Sequence, residues 1–133
     1  MNQRKYLTPE PYREAVKDFH LSFAVEDHGL VTGAVVGIRK EDGPAGVEAA
    51  CRQAFDDLKA TLAEANLAPD DLFQMTSYHV NILEYGEAFK KVRQEVFPNP
   101  PFPAWAAIGV ESLWTPELLV EIVFMARKNG HRT

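Results

Sequence analysis

The chain has 133 residues, 46% of them hydrophobic and 25% charged, with a formal net charge of −5. This is the size and composition of one globular domain able to bury its own core. The negative balance argues against sequence-independent binding to phosphate backbones, which needs a basic footprint, and no stretch approaches the ~18 apolar residues of a membrane span.

Along the chain, residues 8–18 read as a short helix, with Thr8 as N-cap and Pro9 at the first helical position. Residues 1–19 are treated as an N-terminal extension of a single domain spanning 1–133. The opening residues Met1–Tyr6 contain no apolar leader, and the single thiol, Cys51, admits no internal disulfide. The expected location is therefore the cytoplasm.

Residues 20–26 and 29–38 form a hairpin around Asp27-His28-Gly29. Asp42-Gly43-Pro44 breaks the chain before an amphipathic helix over 44–66, where Val47, Cys51, Ala54, Phe55, Leu58, Leu62 and Ala65 share a face. Cys51 on that face reads as a small core residue. A strand over 72–82 and a helix over 84–97 follow, the helix carrying Tyr85, Ala88, Phe89, Val92 and Val96 on its stripe. Pro98, Pro100, Pro101 and Pro103 stiffen the next segment. Two last strands cover 104–113 and 118–127.

The order β-β-α-β-α-β-β places two helices on one face of one sheet, an α+β fold. In the last strand, Leu119, Val123 and Met125 share a face with Glu121, while Val120, Ile122, Phe124 and Ala126 point the other way. A strand apolar on both faces is buried on both. The helices cover one face, so further copies of the chain are expected to cover the other.

Glu121 is the leading candidate for chemistry. A carboxylate on an apolar strand is either a structural group bonded to backbone or a neighbouring chain, or a general acid/base in a cleft. Trp105, a large ring followed by the small Ala106 and Ala107, either fills a hole or floors a ligand site. Gly33 marks a bulge or a close backbone approach. His79 reads as structural. His20, His28 and His131 show no metal-ligand spacing, and no dinucleotide, P-loop or nucleophile-elbow motif is present, so neither metal nor cofactor is expected.

Several segments together resemble the Rid (YjgF, reactive intermediate deaminase) family. They are Pro100-Pro101-Phe102-Pro103-Ala104-Trp105, Ile108-Gly109-Val110 and Val120-Glu121-Ile122, with Val31-Thr32-Gly33, the helix from Ala54 to Leu62, and Asp70-Asp71-Leu72 upstream. The similarity spans about residues 20–127, and the Pro-rich segment ending in Trp105 is similar to the YjgH-like branch. The resemblance implies a chorismate-mutase-like fold and a homotrimer with small-molecule clefts between subunits. Well-studied members hydrolyse enamines and imines such as 2-aminoacrylate to 2-keto acids and ammonia. Older family names invoke an endoribonuclease or translation inhibitor.

Where those deaminases carry a carboxylate-binding arginine, this chain has Trp105. Their tyrosine near the first strand corresponds to Leu21, and their helix asparagine falls near Lys90 or Lys91. The resemblance therefore implies a small-molecule-binding protein acting as a hydrolase or deaminase on a reactive enamine, imine or enol-type metabolite other than 2-aminoacrylate. Glu121 would be catalytic, and Trp105, Ala106, Ala107 and Gly33 would line the ligand. The alternatives are a non-enzymatic ligand-sensing or interaction trimer and, with less support from the charge, an RNA-cleaving enzyme.

Overall fold

The computed structural model describes residues 3–130; His131 lies outside them. Nine principal elements follow one another: β1 (Lys5–Leu7), α1 (Ala15–Phe19), β2 (Ala24–Asp27), β3 (Leu30–Ile38), α2 (Gly43–Ala63), β4 (Leu72–Val80), α3 (Ile82–Val96), β5 (Ala104–Val110) and β6 (Leu118–Ala126). The strands form one mixed sheet in the order β1-β2-β3-β6-β4-β5. Among the described strands, only β4 and β5 run parallel, as a strand–helix–strand crossover through α3 requires.

The expected α+β architecture is present, with α2 and α3 packed together on one face of the sheet. The α2 residues Val47, Cys51, Ala54, Phe55, Leu58 and Leu62 are buried, and so are Phe89 and Val92 of α3. They meet Val31 and Val35 of β3, Met75 of β4, and Val120, Ile122, Phe124 and Ala126 of β6. Burial pushes the Cys51 thiol up to about 11, which leaves it protonated and unreactive at neutral pH. The hairpin turn is as expected: His28 and Gly29 both take positive φ, 53° and 85°, which suits the twist of a two-residue connection.

The N-terminal segment differs from the expected helix over 8–18. Residues 5–7 form a strand paired with β2, and a 3-10 turn at Glu10–Tyr12 precedes the short α1. Thr8 caps no helix. Its Oγ1 accepts the Phe23 N–H at 3.1 Å, and its own N–H donates to Glu64, which caps the C-terminal end of α2. Arg13 pairs with Glu64 at 2.7 Å, and the Tyr12 hydroxyl donates to Asp57. These links tie residues 5–13 to the sheet and to α2. The bonds to Asp57 and Glu64 reach side chains more than 40 residues away, which local capping rules do not see.

The expected face of Leu119 also changes. Opposite β6, the register slips between Gly37 and Ile38, so that Gly37 faces Val120 and Ile38 faces Leu118. A bulge of this kind shifts the alternation by one residue. Leu119 consequently joins the core, and Leu118 takes its place beside Glu121.

Candidate functional site

The two faces of the sheet hold different chemistry. On the face away from the helices, Glu121 sits between Val36 of β3 and Tyr78 of β4. Val123 and Met125 continue that face along β6 and stay half-buried. A concave apolar depression of about 860 Å³ opens here, bounded by Phe19 and Leu21 on one side and Leu118 and Trp114 on the other. Phe19, Leu21 and Trp114 are exposed. Glu121 is half-buried, and no hydrogen-bond or ion-pair partner for its carboxylate occurs among the described residues. Burial alone pushes its carboxyl above the usual carboxylate range, because an apolar surround penalises the charged form.

Gly33 lies in the wall of the same depression. A Cβ there would collide with the Phe23 carbonyl and come within 2.5 Å of the Ala24 Cβ. The close approach between β2 and β3 therefore accounts for the glycine sterically.

Trp105 is on the other face. It pairs in register with Met75, whereas Glu121 faces Tyr78, three residues further along β4. Successive strand residues alternate faces, so Trp105 points towards α3 and Glu121 away from it. Ala107 shares the Trp105 side, and Ala106 shares the Glu121 side. Strand β5 is an exposed sheet edge, paired with β4 alone among the described strands.

On the α3 side the indole, itself partly exposed, is anchored by a hydrogen bond. Its Nε1–H donates to Ser77 Oγ at 2.9 Å, and Ser77 Oγ lies 2.7 Å from His79 Nε2. Because Ser77 accepts from the indole, its own proton goes to a neutral His79 ring. Burial pushes His79 down to about 4, which keeps it neutral as this chain of bonds requires. Phe89 packs edge-on against His79 with ring centroids 4.6 Å apart and lies 6.1 Å from Trp105. His79 is thus structural, as its place on a central strand suggests.

A pH dependence follows. The folded-state value of His79 lies below the ordinary 6.5, so the unfolded chain binds more protons between the two values. Stability should fall as pH drops from about 6.5 through about 4. Urea melts of the protein and of His79→Asn across that range check this. An equal acid loss in both proteins would remove His79 as the cause.

A site residue that the sequence did not single out completes this side. Arg93 of α3 is only 8% exposed. Its guanidinium carbon stands 4.1 Å over the Trp105 ring and 5.3 Å from the Phe97 ring, and its Nε–H points to Met75 Sδ at 3.5 Å. The signal was available: Arg93 is four residues beyond Phe89 and three before Val96, a cation on the apolar stripe of the helix. By contrast Lys91 pairs with Glu48 and Lys90 approaches Glu87, both on the exposed surface. A cation thus stands beside position 105 although the residue there is a tryptophan.

Among the described residues, no three His, Cys, Asp or Glu side chains gather as a metal site would require. No helix is long and apolar enough to cross a membrane.

With these positions known, comparison with known proteins places the chain. The family model described as Endoribonuclease L-PSP matches residues 10–128. The chain belongs to this family, the L-PSP (YjgF/Rid) family. It is 32% identical over 129 residues to the RutC family protein YjgH of Escherichia coli K12, covering 96% of this chain and 97% of that protein. A solved structure of a YjgH protein superposes with a TM-score of 0.81 at 30% identity, covering 96% of this chain and 98% of the other. Rv2704 of Mycobacterium tuberculosis, described as a YjgF/YER057c/UK114 family member, gives a TM-score of 0.78 at 23% identity over 94% and 99% of the two chains; that likeness shows the fold. The L-PSP fold and the similarity to YjgH agree with the resemblance read from the Pro-rich segment and the Val-Glu-Ile strand.

Proposed function

We propose that this L-PSP-family protein is a homotrimer that binds a small molecule between its copies and hydrolyses a reactive enamine, imine or enol-type carbon. The observation that carries the reading is Glu121, a carboxylate without a partner among the described residues in an apolar depression, its proton affinity raised by burial. A raised affinity makes a carboxylate an effective proton acceptor near neutral pH.

For an imine, Glu121 takes a proton from water as the water oxygen attacks the C=N carbon. That proton passes to the nitrogen, giving a neutral carbinolamine; Glu121 then moves the carbinolamine hydroxyl proton to the same nitrogen as the C–N bond breaks, and a carbonyl compound and ammonia leave. An enamine enters the same sequence after protonation on carbon. Neither route needs a redox partner, and Glu121 ends as it began.

Trp105 and Glu121 lie on opposite faces of one sheet, so a ligand touching both would sit between two copies. The open face supports such an assembly, since Val36, Val123 and Met125 leave it apolar where no described element covers it. Light scattering at micromolar concentration should return three times the chain mass. A stable monomer would overturn the assembly and the shared cleft with it.

The activity test generates imines in place with an amino-acid oxidase, or uses preformed neutral imines, and follows their loss with and without the protein. Acceleration supports hydrolysis. No acceleration across both series would leave a ligand-binding protein without catalysis.

A further inference from the structure

The lining of the hollow around Glu121 carries more than a base. Its volume, about 860 Å³, is that of a small-ligand site. Among the described residues that border it, Glu121 is the only ionisable side chain, and no lysine, arginine or histidine joins it. Arg93 lies on the opposite face, stacked on Trp105.

Charge therefore sorts what can enter. An anion would meet a half-buried carboxylate of its own sign, with no cation in the lining to offset it, and that opposes binding. A cation would meet a carboxylate that is poorly solvated and that no described residue claims. Each would lower the cost of burying the other.

The walls add a shape. Phe19, the last residue of α1, is 57% exposed, and Trp114, between β5 and β6, is 80% exposed. Both border the hollow, and the core accounts for neither. Aromatic rings attract cations and flat apolar groups. Leu21, Leu118 and Val36 keep the rest of the lining apolar.

We propose that this hollow selects protonated imines, and the amines that resemble them, with a flat apolar body and no carboxylate, and that Phe19 and Trp114 are its specificity-determining residues. The inference rests on the ligand-binding reading above and adds the charge and the shape of the ligand.

The test measures binding by calorimetry at neutral pH with benzylamine, benzyl alcohol and benzoate, which share a ring and differ in charge. The unaltered protein should bind benzylamine roughly tenfold or more tightly than benzoate, with benzyl alcohol between them. Glu121→Gln should bring benzylamine level with benzyl alcohol. Trp114→Ala and Phe19→Ala, at positions too exposed to hold the core, should each weaken benzylamine by roughly fivefold. Neither should change the mass seen by light scattering.

Benzoate bound as tightly as benzylamine overturns the proposal, even where Glu121→Gln fails to fold, because a second copy must then supply a cation. So does binding of none of the three ligands, or full affinity for benzylamine in both alanine variants. If either alanine variant changes the mass, the rings hold copies together and their assignment to specificity falls. Benzylamine bound in the expected order without turnover of any imine would remove the hydrolytic function and leave this inference standing. Equal turnover of neutral and carboxylate-bearing imines would leave the hydrolytic function standing and remove only this inference.

Discussion

Glu121→Gln is expected to lower turnover of any imine or enamine substrate by roughly 10²–10⁴-fold, the usual loss on removing a general base. The substitution keeps the shape and the half-buried position on β6 but cannot accept a proton. The pH profile carries a second signature. Activity that depends on ionised Glu121 should rise with pH through a value above the ordinary carboxylate range, because burial raises that value.

The stability term has the opposite sense. A group whose folded value is raised contributes stability that is present below its unfolded value and lost as pH rises through the folded one. Glu121→Gln should therefore be the more alkali-tolerant fold and the poorer catalyst. Steady-state rates and urea melts from pH 4 to pH 8 separate the two effects. An unchanged rate with altered stability would assign Glu121 a purely structural role.

The second large effect is expected at Phe89. Its ring is buried at the junction of both helices and the sheet, with centroids 5.2 Å from Phe55, 4.6 Å from His79 and 6.1 Å from Trp105. Phe89→Ala should cost about 3–5 kcal/mol of stability, combining lost burial with an unfilled cavity. Phe89→Leu should recover most of it. Because Phe89 packs against Trp105, the alanine variant should also loosen the Trp105 and Arg93 side chains where the protein still folds. Denaturant melts give the first number. A loss under about 1 kcal/mol would mean that the core closes over the gap and that this junction is not where the fold is held.

How far the sequence led differs from element to element. The helices over 43–63 and 82–96 and the strands β3, β4, β5 and β6 lie where the periodicities placed them, within a few residues at the ends. The reason is local: spacings of three and four or of two put apolar groups on one face regardless of what packs there. Segments that depend on distant partners read less well. Strand β1 has three residues and no alternation to announce it, and it exists because β2 offers it an edge. Thr8 looked like a helix cap because Pro9 follows it, and its hydroxyl was claimed by Phe23 instead.

The candidate site divides in the same manner. Glu121, Trp105 and Gly33 stood out as residue types at odds with their neighbours, and each has a distinct physical situation in the fold. Sequence could not say that Trp105 and Glu121 face opposite ways. That follows from the order β6-β4-β5 and from the register of each pair, a property of three strands at once. Nor could it show that Leu118 replaces Leu119 beside Glu121, since the bulge is imposed by the pairing with Gly37 and Ile38.

By itself, then, the sequence determined the α+β class, the helix faces, the two-sided last strand and the family, because each is written in local pattern or in short ordered motifs. The tertiary structure decided which side chains share a surface. It set the Glu121 carboxylate, without a partner among the described residues, in an apolar hollow on one face. On the other it stacked Arg93 on Trp105 across 12 residues of chain, a contact that becomes visible only when α3 folds back over β5.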